Sequence, residues 1–311
     1  MAVTAALVKE LREITGAGMV DCKNALVVSD GDIKKAVDLL REKGLAAAAK
    51  KASRIAAEGT VAVAISPDVK RGVVVEVNCE TDFVAINAVF KNYVAQVAGQ
   101  LLDSKAAAVD DFLAERWAAD PQYTVEQQLS QMVARIGEKI SIRRFGRIDG
   151  GADGYVANYV HGGGKMGVLL EYETAAAGSD AAEAARNVCM QISALYPKYI
   201  SYDEVPADVL EKERAIALEQ VGNDPAFAKK PDAIKPRIAE GKVKAALEPQ
   251  ILLEQEYVKQ QDIKVKDYIA QVGKAIGAPI KLMRFISYER GDGLEKRQDN
   301  FADEVNKVVN G

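Results

Sequence analysis

Gly72-Val73-Val74-Val75-Glu76 and, 95 residues further on, Gly167-Val168-Leu169-Leu170-Glu171 decide the fold of this 311-residue chain. Each is a short run of apolar and β-branched residues, which reads as a strand. The stretches around them repeat at the same offset. Gly59-Thr60-Val61-Ala62 answers to Gly154-Tyr155-Val156-Ala157, and Gln96-Val97 answers to Gln191-Ile192. Two similar modules follow, each with two strands joined by a turn and then a helix. In the first, Phe90, Val94, Val97 and Leu101 supply the apolar stripe of that helix. The modules are therefore α+β.

A second block closes each module. Ile136-Gly137-Glu138-Lys139-Ile140-Ser141-Ile142 answers to Ile276-Gly277-Ala278-Pro279-Ile280-Lys281-Leu282, and Arg144-Phe145 to Arg284-Phe285, now 140 residues apart. The second module has thus gained about 45 residues between its helix and its last strand. Val205 to Gln255 is where they are expected. Val209 and Ile216, seven apart among Glu and Lys, predict an exposed helix with a narrow apolar seam. Asn223-Asp224-Pro225 turns the chain, and a second helix is expected after Pro236. The result is an antiparallel helical arm that cannot bury its seam against the body and so invites a partner or a second copy.

Ahead of the first module, residues 1–56 read as helical. Leu7, Leu11 and Ile14 keep helical spacing, Gly16-Ala17-Gly18 breaks it, and Ile33, Val37 and Leu40 resume it after Ser29-Asp30-Gly31-Asp32. Gly44 is placed to end the third helix, with a further helix expected from Ala46 to Lys51. Lys50, Lys51 and Arg54 fit either a solvated connecting helix or a surface that meets an acidic partner.

Apolar residues make up 49% and charged residues 28%, which excludes a disordered or low-complexity chain. The net charge of −4 disfavours direct binding to nucleic acid. The apolar stretches are shorter than the roughly 18 residues of a membrane span, and no secretory signal is seen before Lys9, Glu10, Arg12 and Glu13. Three scattered cysteines, Cys22, Cys79 and Cys189, suit buried thiols in a reducing cytoplasm rather than disulfides or a zinc site. A cytoplasmic protein is expected.

The single histidine, His161, excludes two-imidazole catalysis and multi-histidine metal sites. His161-Gly162-Gly163-Gly164 has no G-x-S-x-G elbow to serve and reads as a turn. Neither a P-loop nor a dinucleotide fingerprint is present. These absences favour a binding protein over an enzyme, with no cofactor and no metal. A diffuse carboxylate site around Glu80 and Asp82 is the enzymatic alternative.

The two modules differ at one informative place. After the Val-rich strand the first continues Asn78-Cys79-Glu80-Thr81-Asp82-Phe83-Val84, whereas the second has Glu173-Thr174-Ala175-Ala176-Ala177-Gly178-Ser179. Asp82 and Phe83 fall on a connecting loop. Phe83 is open to two readings, an exposed recognition residue or a plug for its module's own core.

With Gly16-Ala17-Gly18-Met19, Asn78 to Val84, Ile136 to Ile140 and His161-Gly162 in this order, the chain resembles bacterial elongation factor Ts over essentially its whole length. The resemblance implies a ubiquitin-associated-like N-terminal bundle with its connecting helix (1–56) and a core subdomain at 57–150. A second subdomain follows at 151–290 with a helical arm at about 205–255, and then a closing helical module at 291–311, around Phe301 to Val309. It implies guanine nucleotide exchange on elongation factor Tu, without chemistry on the nucleotide. Thr81, Asp82, Phe83 and Val84 look like the segment linked to loss of the GTPase's magnesium ion. Phe83 would enter an apolar pocket, with Asp82 making polar contacts beside it. Ile136 and Gly137 resemble a second contact with the nucleotide domain, Met19 and Val20 the contact of the N-terminal bundle, and His161 a contact with another domain. A homodimer or 2:2 complex through the core or the arm is left open. A protein-binding adaptor using the N-terminal bundle is the alternative function.

Overall fold

The structure, a computed structural model, describes residues 3–176, 178–224, 231 and 233–295. Three helices come first: α1 (Ala5–Thr15), α2 (Met19–Val28) and α3 (Ile33–Lys51). Thr4 and Asp32 cap α1 and α3 by accepting from the Leu7 and Lys35 amides, satisfying donors that a helix start leaves free. The bundle closes on a small core of Val8, Leu11, Cys22, Ala25, Leu26 and Ala36.

The helix expected to stop at Gly44 does not stop there. It runs unbroken to Lys51 because Gly44 marks a crossing, with α7 (Val125–Ile136), rather than an end. A Cβ at Gly44 would lie 3.5 Å from the Ser130 carbonyl oxygen and 3.7 Å from the Ala134 Cβ. An alanine therefore fits in ordinary contact, and a longer side chain does not. Gly44→Ala is expected to be neutral or to stabilise by up to about 1 kcal/mol through helix propensity. Gly44→Leu should cost about 1–3 kcal/mol by forcing α3 off α7. Thermal unfolding of the two variants checks the sign of each.

Two antiparallel three-stranded sheets follow. The first pairs β1 (Glu58–Ile65), β2 (Arg71–Cys79) and β3 (Ile140–Asp149) in that order. Between β2 and β3 lie α4 (Asp82–Ile86), α5 (Ala88–Asp103), α6 (Val109–Ala114) and α7. The second pairs β4 (Gly154–His161), β5 (Met166–Glu173) and β6 (Lys281–Glu289). Between β5 and β6 lie α8 (Ser179–Leu195), α9 (Ala207–Asn223), α10 (Lys235–Leu247) and α11 (Val265–Ile276). Both central strands carry an irregularity at the same point, Glu76/Val77 in β2 and Glu171/Tyr172 in β5.

The sheets stack face to face with their helices outside, which explains the unbroken apolar runs. On β2, Val73, Val75, Val77 and Cys79 face the helices, where Phe90, Val94, Val97 and Val133 meet them. Val74 faces the other sheet, packed with Val61, Ile148, Val156 and Leu169. A central strand covered on both sides has no face to leave polar.

Two carboxylates, Glu76 and Glu171, are nevertheless buried on the central strands. Glu76 accepts from Arg143 Nη1 at 3.0 Å, Arg144 Nε at 2.6 Å, Asn78 Nδ2 at 3.0 Å and the Gly291 amide at 2.8 Å. In the second sheet Glu171 accepts from Arg284 Nε at 2.5 Å. The two arginines then reach across reciprocally: Arg144 Nη2 donates to the Glu289 carbonyl and Arg284 Nη2 to the Asp149 carbonyl, each at 3.1 Å. The sheets are thus fastened by polar groups as well as by packing.

Helices α9 and α10 pack on each other, and here the arm departs from expectation. Ala217, Val221, Ala239, Val243 and Leu247 are buried together, with Val209 and Leu210 half-buried against them. Ile216, expected in the seam, is exposed. The hairpin covers its own apolar stripe, so that stripe needs no second copy to bury it. Pro236 lies in the first turn of α10, where its missing N–H costs nothing. Pro225 of the expected turn and the closing helix from Phe301 to Val309 lie outside the described residues, as does residue 296 onward of the 291–311 module. Among the described residues no helix is long and apolar enough to cross a membrane.

Candidate protein-interaction site

The segment that distinguishes the first module folds into the one-turn helix α4. Thr81 starts it, its hydroxyl oxygen accepting from the Val84 amide at 3.4 Å. A helix this short does not sustain itself in water. What holds it is Glu138, from the turn between α7 and β3. Glu138 Oε2 accepts from the Glu80 and Thr81 amides at 3.1 and 3.0 Å, and Oε1 accepts from the Thr81 hydroxyl at 2.6 Å. Glu80 in turn accepts from the Lys139 amide at 2.6 Å and from Arg54 Nη1 at 3.2 Å. Lys139 Nζ donates to the Arg54 carbonyl at 2.8 Å. The tail of the helical bundle, the α7–β3 turn and the start of α4 are therefore tied into one polar network.

Two residues singled out from the sequence can now be placed. Glu80, the carboxylate expected beside Asp82 in an enzymatic site, is taken up in holding the loop. Phe83 is 78% exposed, so it is not a plug for its own core, and Ile86, one turn later, is 69% exposed. Val84 and Ala85 turn inward onto the core of the first module. Asp82 is exposed on the first turn. The outcome is a small ridge with an aromatic and an aliphatic side chain facing water on a rigid base, the kind of feature that anchors a protein interface.

The other expected contacts lie on several different elements. Thr60 donates to the Ala85 carbonyl at 3.4 Å, and the neighbouring Val61 amide donates to the Gly164 carbonyl at 2.8 Å. The turn after His161 therefore meets β1 beside α4. His161 is exposed at the end of β4, with Nδ1 3.2 Å from the Tyr159 hydroxyl. Ile136 is half-buried against its own module, and exposed Gly137 closes α7 with φ of 86°. Glu138 links that turn directly to Thr81. Met19 and Val20 are exposed on the first turn of α2. Met19 lines a cleft of about 1560 Å³ between bundle and core, with Ala88, Val89 and Asn92 of α5 among the residues opposite.

Ile86 and Glu138 were not singled out from the sequence as site residues. Ile86 follows Phe83 by three, a signal that becomes visible once Asp82 to Ile86 is known to be helical. Glu138 stands where the second module has Ala278, at the 140-residue offset.

The thiols are shielded from solvent. Cys22, Cys79 and Cys189 are free and buried. Burial, with the charge of Glu138 nearby, pushes the Cys79 thiol up to about 12, and burial raises Cys189 as well. A thiol that stays protonated is a poor nucleophile. In native protein at pH 8, a disulfide reagent is expected to titrate neither Cys79 nor Cys189 rapidly, and all three thiols only after denaturation. Fast labelling of Cys79 in the native state would contradict this environment.

Comparison with known proteins adds the following. A family model described as Elongation factor TS matches residues 80–292. The chain is 44% identical over 306 residues to Elongation factor Ts of Clostridium perfringens (strain SM101 / Type A), covering 98% of this chain and 99% of that protein. It is 43% identical over 309 residues to Elongation factor Ts of Clostridium kluyveri (strain ATCC 8527 / DSM 555 / NBRC 12016 / NCIMB 10680 / K1), and 45% over 307 residues to that of Clostridioides difficile (strain 630). In both cases 99% of each chain is covered.

Proposed function

The chain belongs to the elongation factor Ts family, whose place is in translation elongation, and from that premise we propose that it is the guanine nucleotide exchange factor for elongation factor Tu. It works by binding, making and breaking no covalent bond. On this reading the sheet-and-helix units are two copies of one subdomain, the N-terminal helices are a ubiquitin-associated-like bundle, and α9–α10 is an inserted arm.

The observation that carries the proposal is the exposed Phe83 ridge, present in one unit, where the other has Gly178 and Ala181 at the positions of Phe83 and Ile86. A guanine nucleotide is held through its phosphates and a bridging Mg²⁺. Phe83 and Ile86, entering an apolar pocket of the GTPase, displace the elements that organise the ion, and Asp82 supplies polar contacts beside them. Burying a phenylalanine side chain yields roughly 1.5–3 kcal/mol. That energy is spent on the partner's rearrangement rather than on tight binding. Ile136-Gly137 and Met19-Val20 extend the contact to either side, and His161 meets a separate domain.

The test is release of labelled GDP from elongation factor Tu at low concentration, with and without the chain. Catalytic amounts should accelerate release severalfold or more. Binding to elongation factor Tu with no acceleration would leave an adaptor.

A further inference from the structure

A helix of five residues presents Phe83, and the contacts that hold it come from outside its own segment. Glu138 supplies three of them, two to backbone amides and one to the Thr81 hydroxyl that in turn caps α4. Because the acceptor is a carboxylate, these bonds are charge-assisted and stronger than neutral ones. The second module makes the comparison within the same chain. There Glu138 is replaced by Ala278 and Thr81 by Ala176, and among the described residues no helix stands between β5 and α8. Clamp and ridge are present together or absent together.

We propose that Glu138 is a positioning residue for exchange, acting through Phe83 by holding Thr81 to Ile86 in the orientation that presents the ring. The clamp also reaches the helical bundle, since Arg54, Glu80 and Lys139 continue it to the end of α3. Two of the contact surfaces, bundle and ridge, are thereby kept in a fixed relation. This inference rests on the exchange reading above.

The experiment is a double-mutant cycle on the full-length chain, read as stimulated GDP release. Glu138→Ala should slow release about tenfold through loss of the charge-assisted bonds. Glu138→Gln, which keeps one carbonyl acceptor and disturbs packing least, should fall between it and the parent and serves if the alanine variant folds poorly. Glu138→Ala combined with Phe83→Ala should lose far less than the product of the two single losses, because most of what Glu138 positions is gone once the ring is removed. A merely structural role would instead multiply the two losses. Amide hydrogen exchange on the free chain gives a readout independent of the GTPase. Residues 80–86 should exchange faster in the Glu138 variants while β2 stays protected.

Multiplied losses, unchanged hydrogen exchange, or a normal rate for the Glu138 variants beside a slow Phe83→Ala would overturn the inference and leave the exchange reading standing. A normal rate for Phe83→Ala itself would overturn both.

Discussion

Phe83→Ala is expected to reduce stimulated GDP release from elongation factor Tu by about ten- to hundredfold, following from the roughly 1.5–3 kcal/mol of a buried aromatic side chain. The same substitution should leave the fold intact. Phe83 is 78% exposed, and the core of its module is filled by Phe90, Tyr93, Val94, Val97 and their neighbours. Removing a side chain that packs on nothing changes stability by no more than about 0.5 kcal/mol. Unaltered thermal unfolding with a large loss of exchange is the signature of an interface anchor. Loss of both together would mean that the ring supports its own module after all. Ile86→Ala should show a smaller effect of the same kind, since it offers less apolar area from the same ridge.

Glu76→Ala should have the opposite signature, a large loss of stability from a residue outside the ridge. The carboxylate is fully buried, and its removal takes from Arg143, Arg144 and the Gly291 amide the negative charge they share, leaving the arginines the Asp292 and Glu289 carbonyls. Breaking a buried pair from one side costs about 3–5 kcal/mol. Burial alone would push the Glu76 carboxyl up. The Gly291 amide, the Asn78 side chain and the Arg144 guanidinium outweigh it and hold the group below the usual carboxylate value. A depressed folded-state pKa contributes stability above the unfolded value of about 4.3. That contribution is lost as pH falls from there through the lower folded value. Thermal midpoints of the parent should therefore drop through this acid window more steeply than those of Glu76→Gln. Parallel acid limbs would show that Glu76 is not the group responsible.

Much of this architecture could be read from particular residues. Gly72 to Glu76 and Gly167 to Glu171 marked the central strands because a strand covered on both faces has to be apolar without interruption. The helical stripe of Phe90, Val94, Val97 and Leu101 was legible for the same reason, since all four face one core. What was not legible depended on partners distant in sequence. Gly44 carries the usual mark of a helix end, and only the crossing with Ser130 and Ala134 shows why it sits mid-helix. Ile216 fits a seven-residue spacing with Val209, yet the packing of α10 selects Ala217 and Val221 instead. At the site, the contrast between Phe83 and Gly178 flagged the segment, but not whether the ring points in or out. Glu138 is a surface-type residue in a turn, and its role appears only when folding brings it within hydrogen-bond distance of Thr81.

The central claim is that engagement of the ridge and retention of GDP oppose each other on the same GTPase. Such coupling is reciprocal: the factor by which the chain weakens nucleotide must equal the factor by which nucleotide weakens the chain. The direct measurement is the affinity of this protein for elongation factor Tu by titration calorimetry, first without nucleotide and then with saturating Mg²⁺ and GDP. The expected result is weaker binding in the second case by the same factor as the loss of GDP affinity, with Phe83→Ala shrinking both factors together. Equal affinities in the two conditions would contradict the account.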